Sequence, residues 1–137
     1  MNLSACASIF FLISSFACAH GEDKFGPNGG YVRMPGAFHT EITPFGKNKL
    51  KVFLLDIQWK NPSVVKSDLN VTLNNKAKAK CEIKENYYLC AFPASVDLSK
   101  KGELKVLAQR EDQKGIEVLY PLPFKLEVVD DGHGKQK

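Results

Sequence analysis

Alternation of apolar and polar residues with a period of two is the feature of this sequence that most limits what it can fold into. Leu69, Val71 and Leu73, for example, alternate with Asn70 and Thr72. The same period recurs in residues 77–83, 88–92, 104–108, 116–120 and 124–128. No segment of the sequence keeps a helical period. Seven or eight such strands predict an all-β fold, an antiparallel β-sandwich of immunoglobulin-like type, with a small barrel as the alternative.

The segment from Leu50 to Trp59 is apolar on two faces rather than one. One face holds Phe53, Leu55, Ile57 and Trp59, and the other begins with Leu50, Val52 and Leu54. A strand that is apolar on both faces is typical of the middle of a sheet. We therefore expect this strand to be central and Trp59 to lie in the core.

Two earlier segments, residues 31–34 and 38–43, look like the first strands and are separated by Pro35-Gly36. In the second segment the period puts His39 and Glu41 together on one face. The opposite face holds Phe38 and Ile42, which should take the core, so we expect His39 and Glu41 to be exposed. We expect an irregular arm over residues 20–30, the β-sandwich domain over residues 31–129 and a flexible tail over residues 130–137.

The cellular compartment is indicated by the first 21 residues, which contain no Asp, Glu, Lys or Arg. Residues 5–16 form an apolar run of the length found in secretory signals, and Ala17-Cys18-Ala19 follows as a cleavage site. We predict a signal peptide over residues 1–19 and a periplasmic or secreted protein with no membrane span after cleavage. A retained membrane anchor is the alternative, but serines interrupt the run and no basic residues flank it.

Charge and motifs exclude several classes of function. The formal net charge is +4, but Arg33 and Arg110 are the arginines of the chain and no nucleic-acid motif appears, so nucleic acid is not an expected partner. No P-loop, dinucleotide fingerprint or Ser-His-Asp arrangement can be recognised. We therefore expect that the protein is not an enzyme. A copper-dependent oxidase built on an N-terminal histidine is the enzymatic alternative.

Two cysteines remain after the predicted cleavage, and an oxidising compartment favours a disulfide between Cys81 and Cys90. The sequence between them is typical of a hairpin that turns at Glu85-Asn86 and is closed by a hydrogen-bonded pair of Lys84 and Tyr87. Counting outward from that pair, Cys81 faces Cys90 at a non-hydrogen-bonded position, where side chains approach closest. The spacing matches neither a C-x-x-C redox pair nor a zinc site.

The predicted mature chain begins with His20, whose amine and ring nitrogen can chelate one Cu(II) ion together. One further imidazole completes a plane of three nitrogens, an arrangement that suits copper. His39 is the candidate for that ligand, with Glu41 and Met34 as weaker candidates and His133 as a reserve in the tail. In the alternative without metal, His20 lies near the cleavage site by chance and His39 is a solvated histidine on a strand.

Two short segments resemble known periplasmic proteins. The stretch from His20 to Gly30, which contains Gly-Pro-Asn-Gly-Gly and is followed by Phe38-His-Thr-Glu41, is similar to the "GPHGG … E" opening of bacterial periplasmic proteins linked to heavy-metal and copper efflux. Residues 98–107 resemble the "L-x-x-x-G-x-x-x-V" segment of small periplasmic immunoglobulin-like domains. The resemblance implies binding of copper or a similar divalent metal for handover or resistance, with a metal-efflux or other periplasmic protein as a partner. Asn28 stands where that opening has a histidine, which removes one potential ligand.

A protein-binding module without metal is the alternative of a different class. By the hairpin register Tyr87 should point outward, whereas Tyr88 should point into the core. A β-sandwich with exposed tyrosine suits a periplasmic protein–protein interaction or adhesion through an edge strand or a cluster of loops.

Overall fold

The computed structural model describes residues 25–126 of the chain. Two antiparallel sheets of five strands each pack face to face, which confirms the predicted all-β sandwich. The immunoglobulin-like type stays a prediction. Residues 25–126 contain no helix, and therefore none there that could cross a bilayer. The predicted signal peptide, His20 and the tail with His133 lie outside the described residues.

The strands of one sheet, called the β3 sheet after its central member, follow the order β1-β2-β3-β7-β6. The other, called the β8 sheet, follows the order β10-β8-β4-β5, and β9 also pairs with β8. The strands are β1 (Tyr31–Arg33), β2 (His39–Pro44), β3 (Lys49–Leu55), β4 (Asp68–Leu73), β5 (Ala77–Lys78), β6 (Lys80–Ile83), β7 (Tyr88–Ala91), β8 (Gly102–Arg110), β9 (Gln113–Lys114) and β10 (Val118–Leu122).

The core lies between the two sheets, where the inward residues of facing strands meet. Burial of these apolar side chains is the dominant favourable term in folding. Strands β3 and β8 each place three apolar side chains in this core. They are Leu50, Val52 and Leu54 from β3 and Leu104, Val106 and Ala108 from β8. The predicted period of two is therefore confirmed for both strands, and β3 has the predicted central position.

One buried polar pair joins the two sheets next to His39. The Tyr120 hydroxyl on β10 donates to the Thr40 carbonyl oxygen at 3.1 Å and lies 2.6 Å from the Thr40 hydroxyl. Burial raises the pKa of Tyr120, so its hydroxyl keeps the proton that it donates. This contact fixes β2, the strand that presents His39 and Glu41, against the opposite sheet.

The hairpin of β6 and β7 has the predicted register. The Lys84 amide donates to the Tyr87 carbonyl at 2.9 Å, and Cys81 lies opposite Cys90 with a Cα–Cα distance of 4.0 Å. The predicted disulfide between Cys81 and Cys90 is present. Tyr88 is buried in the core, as predicted.

The end of β3 differs from the prediction. The strand stops at Leu55, so Ile57 and Trp59 do not continue its face, and Ile57 is 52% exposed. The cause is Asp56, whose carboxylate accepts the backbone N–H groups of Gln58 and Lys60, each at 2.9 Å. A short polar side chain that bonds to nearby backbone closes a loop where alternation alone would extend the strand.

The predicted strand over residues 77–83 is two strands in different sheets. β5 pairs with β4, β6 pairs with β7, and the chain passes between the sheets at Ala79. The predicted strand at 116–120 begins only at Val118, and Ile116 is exposed. Residues 124–126 are not in a strand, and the rest of that predicted strand, 127–128, lies outside the described residues.

Candidate metal centre

His39 and Glu41 lie on the outer face of the β3 sheet and are buried there. His39 pairs with Leu55 of β3 and Glu41 with Phe53, and the exposed fractions are 3% for His39 and 0% for Glu41. The expectation that both would be exposed was therefore wrong. The physical reason is that β3 is apolar and buried on this outer face as well as on the core face. His39 and Glu41 lie beside these buried residues of β3 and are therefore covered with them.

The His39 ring is held in one orientation by the backbone of Asp56. The His39 Nδ1 atom lies 3.0 Å from the Asp56 carbonyl oxygen. Because a carbonyl oxygen only accepts, Nδ1 carries the hydrogen and the Nε2 lone pair of the neutral ring remains available. Burial, opposed by this hydrogen bond and by the Asp56 charge, lowers the pKa of His39 below its ordinary value. The ring is therefore neutral at pH 7, the form that binds a metal.

The loop of residues 56–61 supplies this contact and places an aromatic ring beside the histidine. The Asp56 carbonyl oxygen also accepts the Trp59 amide at 3.0 Å, and the centroid of a Trp59 ring lies 5.2 Å from that of His39. Trp59 adopts a φ of 64°, a conformation that costs a bulky L-residue about 1–2 kcal/mol. Such strain persists only where surrounding contacts impose it, and it is concentrated at functional sites.

Asp56 organises the loop through its side chain. Besides Gln58 and Lys60, the carboxylate accepts the Asn61 side-chain amide at 2.8 Å. These bonds, the one from Lys60 foremost, lower the pKa of Asp56, so it is ionised at neutral pH. The loop was not predicted as part of a site. The available signal was the Asp56 side chain followed within five residues by the turn at Asn61-Pro62.

Glu41 is the anchor of the segment that precedes β1. Its Oε1 atom accepts the amides of Asn28 at 2.8 Å and Gly30 at 2.9 Å, and its Oε2 atom accepts the Asn28 side-chain amide at 2.9 Å. Three N–H donors thus bond both oxygens of this buried carboxylate. Because both carboxylate oxygens are already bonded, this arrangement favours an anchoring role for Glu41 over the predicted role as a ligand.

Gly26 and Gly30 are explained by their close packing against Glu41. A Cβ atom on Gly26 would lie 2.5 Å from Cδ of Glu41, and one on Gly30 would lie 2.8 Å from its Cγ. The segment closes on itself through the Gly26 amide, which donates to the Gly30 carbonyl at 2.8 Å. The motif therefore forms a cradle around one buried carboxylate.

The remaining predicted ligands are Met34, His20 and His133. Met34 is partly exposed and follows Arg33, which pairs with Thr40, so it lies close to His39 at the edge of the sheet. His20 and His133 are outside the described residues. Within residues 25–126 no three side chains of His, Cys, Asp or Glu are grouped so that they could hold a metal ion.

No family model, curated protein or solved structure matches this chain. The resemblance to periplasmic metal-efflux proteins therefore stays a prediction from two short motifs. Chemically, the described site offers one oriented neutral imidazole, a neighbouring indole and, on the same face, a carboxylate that anchors residues 26–30.

Proposed function

We propose that this chain is an exported β-sandwich protein without turnover that binds copper, or a similar divalent metal, for handover or resistance. The observation that carries the proposal is the His39 ring, whose Nδ1–H donates to the Asp56 carbonyl. Histidines that bind metals almost always donate their other ring N–H to a carbonyl, carboxylate or water, which fixes the tautomer and raises ligand basicity. His39 Nε2 is the ligand in this proposal.

The Glu41 cradle supports the addition of His20 as the second ligand residue. Glu41 and His39 are two residues apart on one strand face, about 7 Å. Gly26 contacts Glu41 and is six peptide links from His20, a chain length that spans at most about 22 Å. Along the chain, 19 peptide links separate His20 from His39. The contact between Gly26 and Glu41 reduces the free tether between His20 and the site to six links. A shorter tether raises the effective concentration of the second ligand at the first.

Copper fits this donor set better than a hard cation does. The His20 amine, the His20 imidazole and His39 Nε2 are three nitrogen donors, which suit a tetragonal Cu(II) site, and Met34 offers sulfur to reduced copper. Asn28 donates to Glu41 and so contributes to the cradle, where the resembling proteins have a histidine. The receiving partner in this proposal is a metal-efflux or other periplasmic protein.

Fluorescence of Trp59 provides a test, because Trp59 is the one tryptophan of the chain and lies beside His39. The protein beginning at His20 is titrated with Cu(II) against a competing chelator, next to a form with one glycine ahead of His20 and a His39→Gln variant. We expect strong quenching of Trp59 in the first form, with affinity at least about tenfold weaker in the other two.

His133→Gln is the matched control and should bind copper as the parent does. Equal affinity in the parent, the extended form and the His39→Gln variant would falsify the proposal. Tight binding without quenching of Trp59 would also reject it, because the metal would then sit away from His39.

A further inference from the structure

Arg110 is a buried cation whose partners belong mainly to the opposite sheet. It ends β8, is 6% exposed, and donates through Nε to the Leu54 carbonyl at 3.2 Å and through Nη2 to the Asn61 carbonyl at 2.6 Å. Its Nη1 atom lies 3.1 Å from the carboxylate of its neighbour Glu111. A buried guanidinium is costly unless its N–H groups are bonded, so each of these contacts matters to the fold.

The two carbonyls are at the ends of one structural unit. Leu54 is the next-to-last residue of β3, and Asn61 closes the loop of residues 56–61. The planar guanidinium bonds to both at once and so fixes the distance between the strand end and the loop end. This bridge runs from the β8 sheet to the β3 sheet.

The loop held in this way is strained. Trp59 has a φ of 64° and Asn61 a φ of 51°. Asp56 closes the loop from within, and Arg110 holds its far end from outside. Asparagine tolerates a positive φ, so the strain lies at Trp59. Without the outer contact, relaxation of Trp59 would move the backbone of Asp56, whose carbonyl oxygen accepts the Trp59 amide.

We propose that Arg110 is a positioning residue, which holds the 56–61 loop so that the Asp56 carbonyl keeps His39 in the Nδ1–H tautomer with Nε2 available for a ligand. The consequence of this positioning for metal binding rests on the function proposed above. The effect of Arg110 on the His39 tautomer does not, because that tautomer is a property of the metal-free protein.

The test reads the His39 ring nitrogens by NMR in metal-free, 15N-labelled protein at pH 7.5. In the parent we expect one protonated ring nitrogen, Nδ1, and one unprotonated nitrogen, Nε2. In Arg110→Met the two nitrogen signals should move toward each other as both tautomers are sampled. Arg110→Lys should show the same change, because one ammonium does not reproduce the fork that bonds two carbonyls. Copper affinity should fall about tenfold in both variants.

Two further variants separate positioning from general stability. Glu111→Gln removes the neighbouring charge and keeps both carbonyl contacts, so its ring spectrum should match the parent. Val106→Ala opens a cavity in the same strand, away from the loop, and should lower the unfolding midpoint while leaving the tautomer unchanged.

The inference is overturned if Arg110→Met and Arg110→Lys keep the parent spectrum, or if Val106→Ala changes the ring as much as they do. If Arg110→Met does not fold, Arg110→Lys decides alone. Copper binding by the parent together with an unchanged ring in both variants rejects only this inference. A changed ring in a protein that never binds copper rejects only the proposed function.

Discussion

The outer faces of the two sheets differ in a way that decides where a site can form. On β8 the outward residues, such as Lys105 and Leu107, are accessible, and Leu107 is 47% exposed. On β2 and β3 the outward residues Glu41, Phe53 and Leu55 are buried like a second core. The β8 sheet is therefore covered on one face, whereas the middle of the β3 sheet is covered on both.

This difference changes what polar side chains cost and what they can do. A carboxylate or imidazole on the accessible face of β8 is solvated by water, whereas Glu41 and His39 must find partners inside the protein. Those partners are the 26–30 segment for Glu41 and the 56–61 loop for His39. Burial thus converts two polar residues into fixed, oriented groups.

The largest expected effect comes from one truncation made on each outer face. Leu55→Ala removes a fully buried side chain and should lower the free energy of unfolding by about 3 kcal/mol, since leucine truncations in cores cost 2–5 kcal/mol. Leu107→Ala removes a half-exposed side chain and should cost about 1 kcal/mol or less. Urea denaturation measures both. Similar costs would show that the two faces do not differ.

The buried carboxylate gives the next largest effect. Glu41→Gln keeps the shape but places an amide N–H₂ against donors from Asn28 or Gly30, and should cost about 2–3 kcal/mol. Glu103→Gln makes the same change at an exposed position of β8 and should stay within about 0.5 kcal/mol. A cost below 1 kcal/mol for Glu41→Gln would mean that the cradle contributes little to stability.

The sequence predicted the pairing of adjacent strands in a hairpin well, and the burial of residues on the outer faces of the sheets poorly. The hairpin that joins Cys81 to Cys90 follows from counting along adjacent residues, and its register was right. The apolar second face of β3 was also recognised. What was missed is its consequence, since Glu41 and His39 pair with Phe53 and Leu55 on that same buried face.

The wrong strand boundaries have physical causes that alternation does not report. The chain changes sheets at Ala79 without breaking its period, because residues on both sides still alternate between core and solvent. The strand end at Leu55 depends on the Asp56 side chain. The role of Arg110 depends on contacts 49 and 56 residues away in the chain, which no local pattern contains.

A glycine pair tests the cradle from its other side. Gly26→Ala places a methyl group 2.5 Å from Cδ of Glu41 and should lower the free energy of unfolding by about 2 kcal/mol through overpacking. Gly36→Ala is the matched control, because its nearest neighbour, the Lys114 carbonyl oxygen, would be 3.6 Å away, and its cost should be below about 0.5 kcal/mol. Thermal or urea unfolding checks both, and equal costs would contradict the close contact between Gly26 and Glu41.

The smallest expected effect is the pH dependence that burial gives to His39. Its folded pKa is lowered, whereas the unfolded chain keeps the ordinary value near 6.5, so below about pH 6.5 the unfolded state binds a proton that the folded state does not. The free energy of unfolding therefore falls as pH falls, until the folded pKa is reached. His39→Gln removes this contribution, so the stability of the parent relative to the variant should decrease by up to about 1 kcal/mol between pH 7.5 and pH 5.5. Urea titrations of both proteins at the two pH values give this difference in the free energy of unfolding. The contributions of His20 and His133 are the same in both proteins and cancel. A parent that gains stability relative to the variant at pH 5.5 would show that the folded protein binds the proton more tightly than the unfolded chain does, so that the hydrogen bond and charge of Asp56 outweigh burial at His39.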